Sequence, residues 1–174
     1  MQYFDLYELP ISFLLDEKAL KRKFYQLSKQ FHPDFFTLES DEKQAEILEI
    51  STLNNDAYKT LSDFDKRMEY ILKQKDVYAA EGQNKVPQDF LMEMMDINEV
   101  LMELEFDSNN DAYETTKQDV ENLDKKVYSG MESILENYDN ATASSEDLEK
   151  IKDFYFKRKY LLRIQNNLSK FAPL

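Results

Sequence analysis

DEKALKRKFYQLSKQFHPDFFTLESDEKQAEILEISTLNNDAYKTL, residues 16–61, holds the only histidine of the chain, His32, within a His32-Pro33-Asp34 turn. Asp16 stands where a helix N-cap is needed, and Leu20, Phe24, Leu27 and Phe31 then recur at helical spacing, forming one apolar face. Pro33 lacks the N–H that would continue this helix, and its ring biases His32 toward extended backbone. The helix therefore ends before the turn. Ser40 or Asp41 is placed to cap a second helix, along which Ile50, Leu53, Ala57 and Leu61 make another apolar stripe. Two antiparallel helices joined this way would hold His32 and Asp34 outward at their tip.

An imidazole beside a carboxylate invites a general-base reading. A rigid proline between them does not bring the two side chains into dyad geometry, and no cysteine, glycine-rich elbow or activated serine stands nearby as a nucleophile. The plainer alternative is a loop in which Pro33 ends a helix and Asp34 caps a turn. The preceding helix argues for more than that. Residues 16–31 carry Lys18, Lys21, Arg22, Lys23 and Lys29 against Asp16 and Glu17, a local balance of +3 in a chain of net charge −13. Alone, such a face is ordinary solvated helix surface; beside an outward turn it reads as a docking surface for an acidic partner.

With 174 residues, 42% of them hydrophobic, and only two glycines and four prolines, the chain has material for one or two small helical domains with short connections. The absence of cysteine excludes disulfides, thiolate nucleophiles and Cys-ligated zinc or iron–sulfur centres, and fits a cytoplasmic protein. The strong negative charge argues against a grip on phosphate backbones, so no nucleic-acid partner is expected. Met1-Gln2-Tyr3-Phe4-Asp5 has neither a basic n-region nor an apolar h-region, and no run reaches the length of a membrane span. The expectation is a soluble chain with no membrane partner.

Residues 3–9 are expected to form one or two helical turns ended by Pro10, and Ser62-Asp63 to cap a further helix bearing Phe64, Met68, Ile71 and Leu72. Residues 76–86, with Gly82-Gln83-Asn84, read as a linker between a domain at 1–75 and another at 87–174. The second domain is expected as three antiparallel helices at about 87–106, 109–139 and 145–171, a three-helix bundle in an all-α chain. Thr116, Val120, Leu123, Val127, Ile134 and Tyr138 mark the buried face of the middle helix. Ser144 to Asp147 resembles a capping box for the last, whose Leu148, Ile151, Leu161, Ile164 and Leu168 face inward.

The helix at 87–106 has more apolar surface than one core needs. Phe90, Met94, Ile97, Leu101 and Leu104 already supply a core stripe, while Leu91, Met92, Met95 and Met102 fall on a second line shared with Asp96, Glu99 and Glu103. From Pro87 to Asp107 there are seven carboxylates and no Lys or Arg, with four of the seven methionines of the chain. Such a wide arc serves either contact with two neighbouring helices or a partner with a basic and apolar surface, for which adaptable Met beside fixed charge is suited. A carboxylate di-metal site fails here, because the only His lies in the other domain. Neither metal nor other cofactor is expected.

The basic helix, His32-Pro33-Asp34 and the later Asn55-Asp56-Ala57-Tyr58-Lys59-Thr60-Leu61 together resemble a J domain. Tyr3-Phe4-Asp5-Leu6, the long turn from Phe31 to Phe36, Arg67-Met68-Glu69-Tyr70-Ile71-Leu72 and Phe90-Leu91-Met92-Glu93 narrow the resemblance to the HscB type, J co-chaperones of iron–sulfur cluster biogenesis, over essentially the whole chain. The resemblance implies a J domain followed by a C-terminal three-helix bundle. It implies that His32, Pro33 and Asp34, steered by Lys21, Arg22 and Lys29, dock on a DnaK/HscA-type chaperone and stimulate its ATPase, the chain itself being no enzyme. It further implies that Leu91, Met92, Met95, Asp96, Glu99 and Glu103, with Tyr160 of the last helix, bind an IscU-type iron–sulfur scaffold. Two positions depart from the family pattern: Phe35 replaces the usual Lys after the motif, and Asn54 replaces an aliphatic residue. A general J protein presenting unfolded clients is the alternative, disfavoured by the lack of a glycine-rich segment or a cysteine zinc module.

Overall fold

The computed structural model describes residues 2–78, 85–107 and 109–172. Most of the expected linker at 76–86, including Gly82-Gln83-Asn84, lies outside them. Every regular element among the described residues is helical, and the chain divides into two compact units. The first comprises residues 1–75 with 138–142, the second residues 76–137 with 143–174.

In the first unit, α1 (Gln2–Leu6) is followed by a turn in which Glu8 takes a left-handed φ of 50°. Helix α2 (Glu17–Gln30) begins where Asp16 accepts hydrogen bonds from the N–H groups of Lys18 and Ala19, at 2.9 and 3.1 Å. These bonds, the Ala19 one foremost, hold the Asp16 carboxyl below its ordinary range. A short 3-10 turn (Pro33–Phe36) leads to α3 (Asp41–Leu61), capped by Ser40, and α4 (Phe64–Gln74) is capped by Asp63. Phe24 of α2 stacks on Tyr58 at 4.1 Å, and one turn on, Ser28 meets Asn54, one turn back in α3. The two helices therefore run antiparallel. Phe4, Phe13, Leu20, Ile47, Ala57, Leu61, Met68, Ile71 and Leu72 are buried between them and their flanking helices.

Two polar side chains are buried in this core, each with its bonds satisfied. Asn54 accepts from the Tyr7 hydroxyl at 2.8 Å and donates to the Phe24 carbonyl at 3.2 Å and to Ser28 Oγ at 2.9 Å. The amide thus ties the segment after α1 to both hairpin helices. Arg67 donates through Nε to the Phe13 carbonyl at 2.9 Å and also to the Leu61 carbonyl, closing the α3–α4 corner.

The second unit is a three-helix bundle: α5 (Gln88–Glu93) and α6 (Met95–Leu104) form its first arm, α7 (Asn110–Ser129) and α8 (Glu132–Glu136) its second, α9 (Ser145–Leu168) its third. Phe90, Met94, Leu101, Leu104, Tyr113, Val120, Leu123, Leu161, Ile164 and Leu168 make its core, with Ile97 and Tyr160 packed against it. Ser144 caps α9 through the Asp147 N–H, and a 3-10 turn (Ser169–Phe171) follows the helix.

Three expectations need correction. The helix expected over 87–106 breaks at Met94, whose carbonyl receives both the backbone N–H of Asn98 at 3.0 Å and its side-chain amide at 2.7 Å. The helix expected over 109–139 stops at Ser129, where the Ser129 hydroxyl turns back to the Lys126 carbonyl and Gly130 follows. Tyr138 is not on the bundle face: it belongs to the first unit, where its ring packs edge-on against Phe13 at 4.6 Å, and burial pushes its hydroxyl pKa up to about 12.

Candidate functional site

The His32-Pro33-Asp34 turn is built by local rules. His32 takes the extended backbone that a following proline imposes, φ −74° and ψ 124°, and Pro33 opens the 3-10 turn at the position where a missing N–H costs nothing. The Asp34 N–H donates to His32 Nδ1 at 3.3 Å, and the same nitrogen lies 3.7 Å from the Asp34 carboxylate. This fixes the ring relative to the carboxylate while both stay in solvent, with side chains 51% and 82% exposed. Among the described residues, no neighbour uses them as core or cap beyond the turn itself.

The basic helix meets the turn at its C-terminal end. Lys23 pairs with Glu8, which holds the Glu8 carboxyl below its ordinary range. Lys18, Lys21, Arg22 and Lys29 have no ion-pair partner among the described residues, and Lys21 lies 6.0 Å from the ring of Tyr25. Lys21, Arg22 and Lys29 thus keep their charge free of any close ion pair among the described residues, although Arg22 also acts at longer range on the Asp16 carboxylate. What the arrangement does chemically is present fixed donors and charge; it assembles no nucleophile.

In the second unit, the line of residues beside the core stripe is solvent-facing. Leu91, Met92, Met95 and Met102 are 40–65% exposed, and Asp96, Glu99 and Glu103 are exposed among them. The wide apolar arc thus does not serve a second helix contact. Phe90, Met94, Leu101 and Leu104, on the adjoining line, are buried, so the helix separates core from free face as its periodicity requires. Tyr160 is half-buried: its hydroxyl accepts from Asn98 at 2.9 Å, its ring packs edge-on to Phe90 at 6.0 Å, and the Arg163 guanidinium lies 4.9 Å from the ring centre. Leu161 and Phe154, its neighbours on the last helix, are buried. Tyr160 and Asn98 together brace the break that separates Leu91 and Met92 from Met95.

Sequence reading passes over Asn98, although an Asn four residues after Met94, between Ile97 and Val100 of the packed face, is the signal for it. It also passes over Leu38, an isolated apolar residue in the polar segment after the turn, which is fully exposed.

Comparison with known proteins matches residues 4–70 to the DnaJ domain and residues 86–169 to the HSCB C-terminal oligomerisation domain. The co-chaperone protein HscB homologue of Psychromonas ingrahamii is 31% identical over 170 residues, covering 97% of this chain and 95% of that protein. The mouse iron-sulfur cluster co-chaperone protein HscB is 31% identical over 167 residues, covering 95% of this chain and 67% of its own length. Among solved structures, human co-chaperone protein HscB superposes with a TM-score of 0.78 at 30% identity, covering 99% of this chain and 83% of that one. Chaperone HscB from Vibrio cholerae gives 0.73 at 26% identity, covering 98% and 96%.

Proposed function

Because the chain belongs to the HscB family of J-domain co-chaperones, we propose that it brings an IscU-type iron–sulfur scaffold to a DnaK/HscA-type chaperone and triggers ATP hydrolysis there. The observation that carries the reading is an outward imidazole and carboxylate, held in one turn, beside a helix whose Lys21, Arg22 and Lys29 have no close ion-pair partner among the described residues. His32, Pro33 and Asp34 are the trigger. Lys21, Arg22 and Lys29 steer the turn toward an acidic chaperone surface, a contribution that salt screens. Stimulation acts by population shift: the turn binds the hydrolysis-competent chaperone more tightly than the other state and so raises its share. The chain supplies no group to the phosphoryl transfer itself.

The scaffold sits on the free face of α5 and α6. Leu91, Met92 and Met95 give apolar anchors there, and Asp96, Glu99 and Glu103 select a basic rim. Tyr160 contributes from α9, principally by holding Asn98. The test is Asp34→Asn in a single-turnover ATPase assay on the cognate chaperone, with scaffold capture by the same variant measured alongside. Stimulation is lost and capture is retained if the turn is the trigger; undiminished stimulation contradicts the assignment.

A further inference from the structure

We propose that Phe35 and Leu38 form an apolar anchor next to the trigger turn, seated in a hollow on the same chaperone; this rests on the docking role proposed above for His32-Pro33-Asp34. Phe35 is 70% exposed and Leu38 100%, so neither contributes to the core of the first unit. Large apolar side chains standing singly on a surface are ordinary. Two on one short loop, contiguous with a docking turn, are not explained by the fold.

The loop that carries them is pinned. Phe35 N–H donates to the His32 carbonyl at 3.0 Å and Glu39 N–H to the Phe36 carbonyl at 3.1 Å. From α3, the Gln44 side-chain amide donates to the carbonyls of Glu39 at 2.8 Å and Thr37 at 3.4 Å, the two residues flanking Leu38. Leu38 is thereby presented outward on a backbone tied down on both sides. Apolar groups ordered before contact lose little freedom on docking, which is the condition under which they become hot spots.

Continuity identifies the occupant. The Phe35 ring centre lies 5.5 Å from that of the His32 imidazole, so a surface that meets His32 meets Phe35 as well. Charge then sets the chemistry of that surface. On one side of the turn stand Lys21, Arg22 and Lys29; on the other, next to Leu38, stand the exposed Glu39, Asp41 and Glu42. The complementary chaperone surface is acidic opposite α2, apolar opposite Phe35 and Leu38, and neutral or basic beyond them. Displacement of the docked turn toward α3 would set carboxylate against carboxylate, so the apolar pair and the charge boundary together fix register.

The experiment titrates the full chain into the cognate chaperone and follows single-turnover ATP hydrolysis. Phe35→Ala and Leu38→Ala each raise the half-saturating concentration by about fivefold or more and leave the plateau of stimulation at the wild-type level. Leu38→Met, which keeps apolar bulk, titrates with the wild type. A smaller shift in either alanine variant, a lowered plateau, or Leu38→Met behaving as Leu38→Ala overturns the anchor. Asp34→Asn measured in parallel keeps the two claims apart: if it still stimulates, the docking reading falls and the anchor with it. If it is silent while both alanine variants titrate as wild type, the anchor alone falls. Thermal melts by circular dichroism verify that the variants are folded, as substitution of exposed side chains leads one to expect.

Discussion

Asn54 shows what one buried amide does in this chain. It meets the Tyr7 hydroxyl, the Phe24 carbonyl and Ser28 within a largely apolar core. Its loss differs with the replacement. Asn54→Ala leaves a void and removes three hydrogen bonds, and the first unit should lose about 2–3 kcal/mol in urea denaturation. Asn54→Leu fills the space, and Tyr7 keeps the Asn54 backbone carbonyl at 2.8 Å as acceptor, so the cost should be smaller, about 1 kcal/mol. Equal costs for the two variants would show that volume plays no part. The turn obeys the same economy of local causes: Pro33 sets the backbone of His32, and Asp34 binds back to the ring through its own N–H.

At the scale of the element, α5 and α6 divide one helical surface between two tasks. The buried line of Phe90, Met94, Leu101 and Leu104 stabilises the bundle, and the exposed line of Leu91, Met92 and Met95 is free for a partner. Leu91→Ala with Met92→Ala should therefore weaken scaffold binding by about 2–4 kcal/mol, read by isothermal titration calorimetry, while the melting temperature stays within about 2 °C of wild type. A collapsed melt with unchanged affinity would mean that these residues serve the fold.

The sequence makes legible what depends on near neighbours. The caps at Asp16, Ser40, Asp63 and Ser144, the stop at Pro33 and the two-line surface of residues 90–104 all follow from spacing and backbone chemistry. It hides what depends on distant partners. At the break at Met94, Asn98 bonds Tyr160, 62 residues away in the chain, and Tyr138 leaves its helical register to pack on Phe13. Periodicity alone reads both stretches as continuous helix. The exposure of Leu38 is equally illegible, because it depends on Gln44 reaching back to the loop.

For the whole molecule, the two units differ in their response to acid. The carboxyls of Glu8, Asp16, Glu42 and Asp139, all in the first unit, are held below their ordinary range. A depressed folded-state pKa gives stability that is present above the unfolded carboxylate pKa and is lost as pH falls through the folded value. In the second unit, burial raises Asp153, which makes its charge unfavourable at neutral pH and relieves that penalty on acidification. As pH falls through the carboxylate range the first unit should therefore lose some of its neutral-pH stability, read by hydrogen exchange with mass spectrometry. A first unit whose protection rises on acidification would contradict this assignment of charge.

On the function proposed, trigger and cargo face lie in separate units, and the chain joins two binding events. The direct measurement is single-turnover ATP hydrolysis by the cognate chaperone with the wild-type chain alone, with scaffold alone, and with both. The expected result is stimulation by both together that exceeds the product of their separate effects, and that vanishes with Asp34→Asn. Independent effects of chain and scaffold, or synergy that survives Asp34→Asn, would contradict the account.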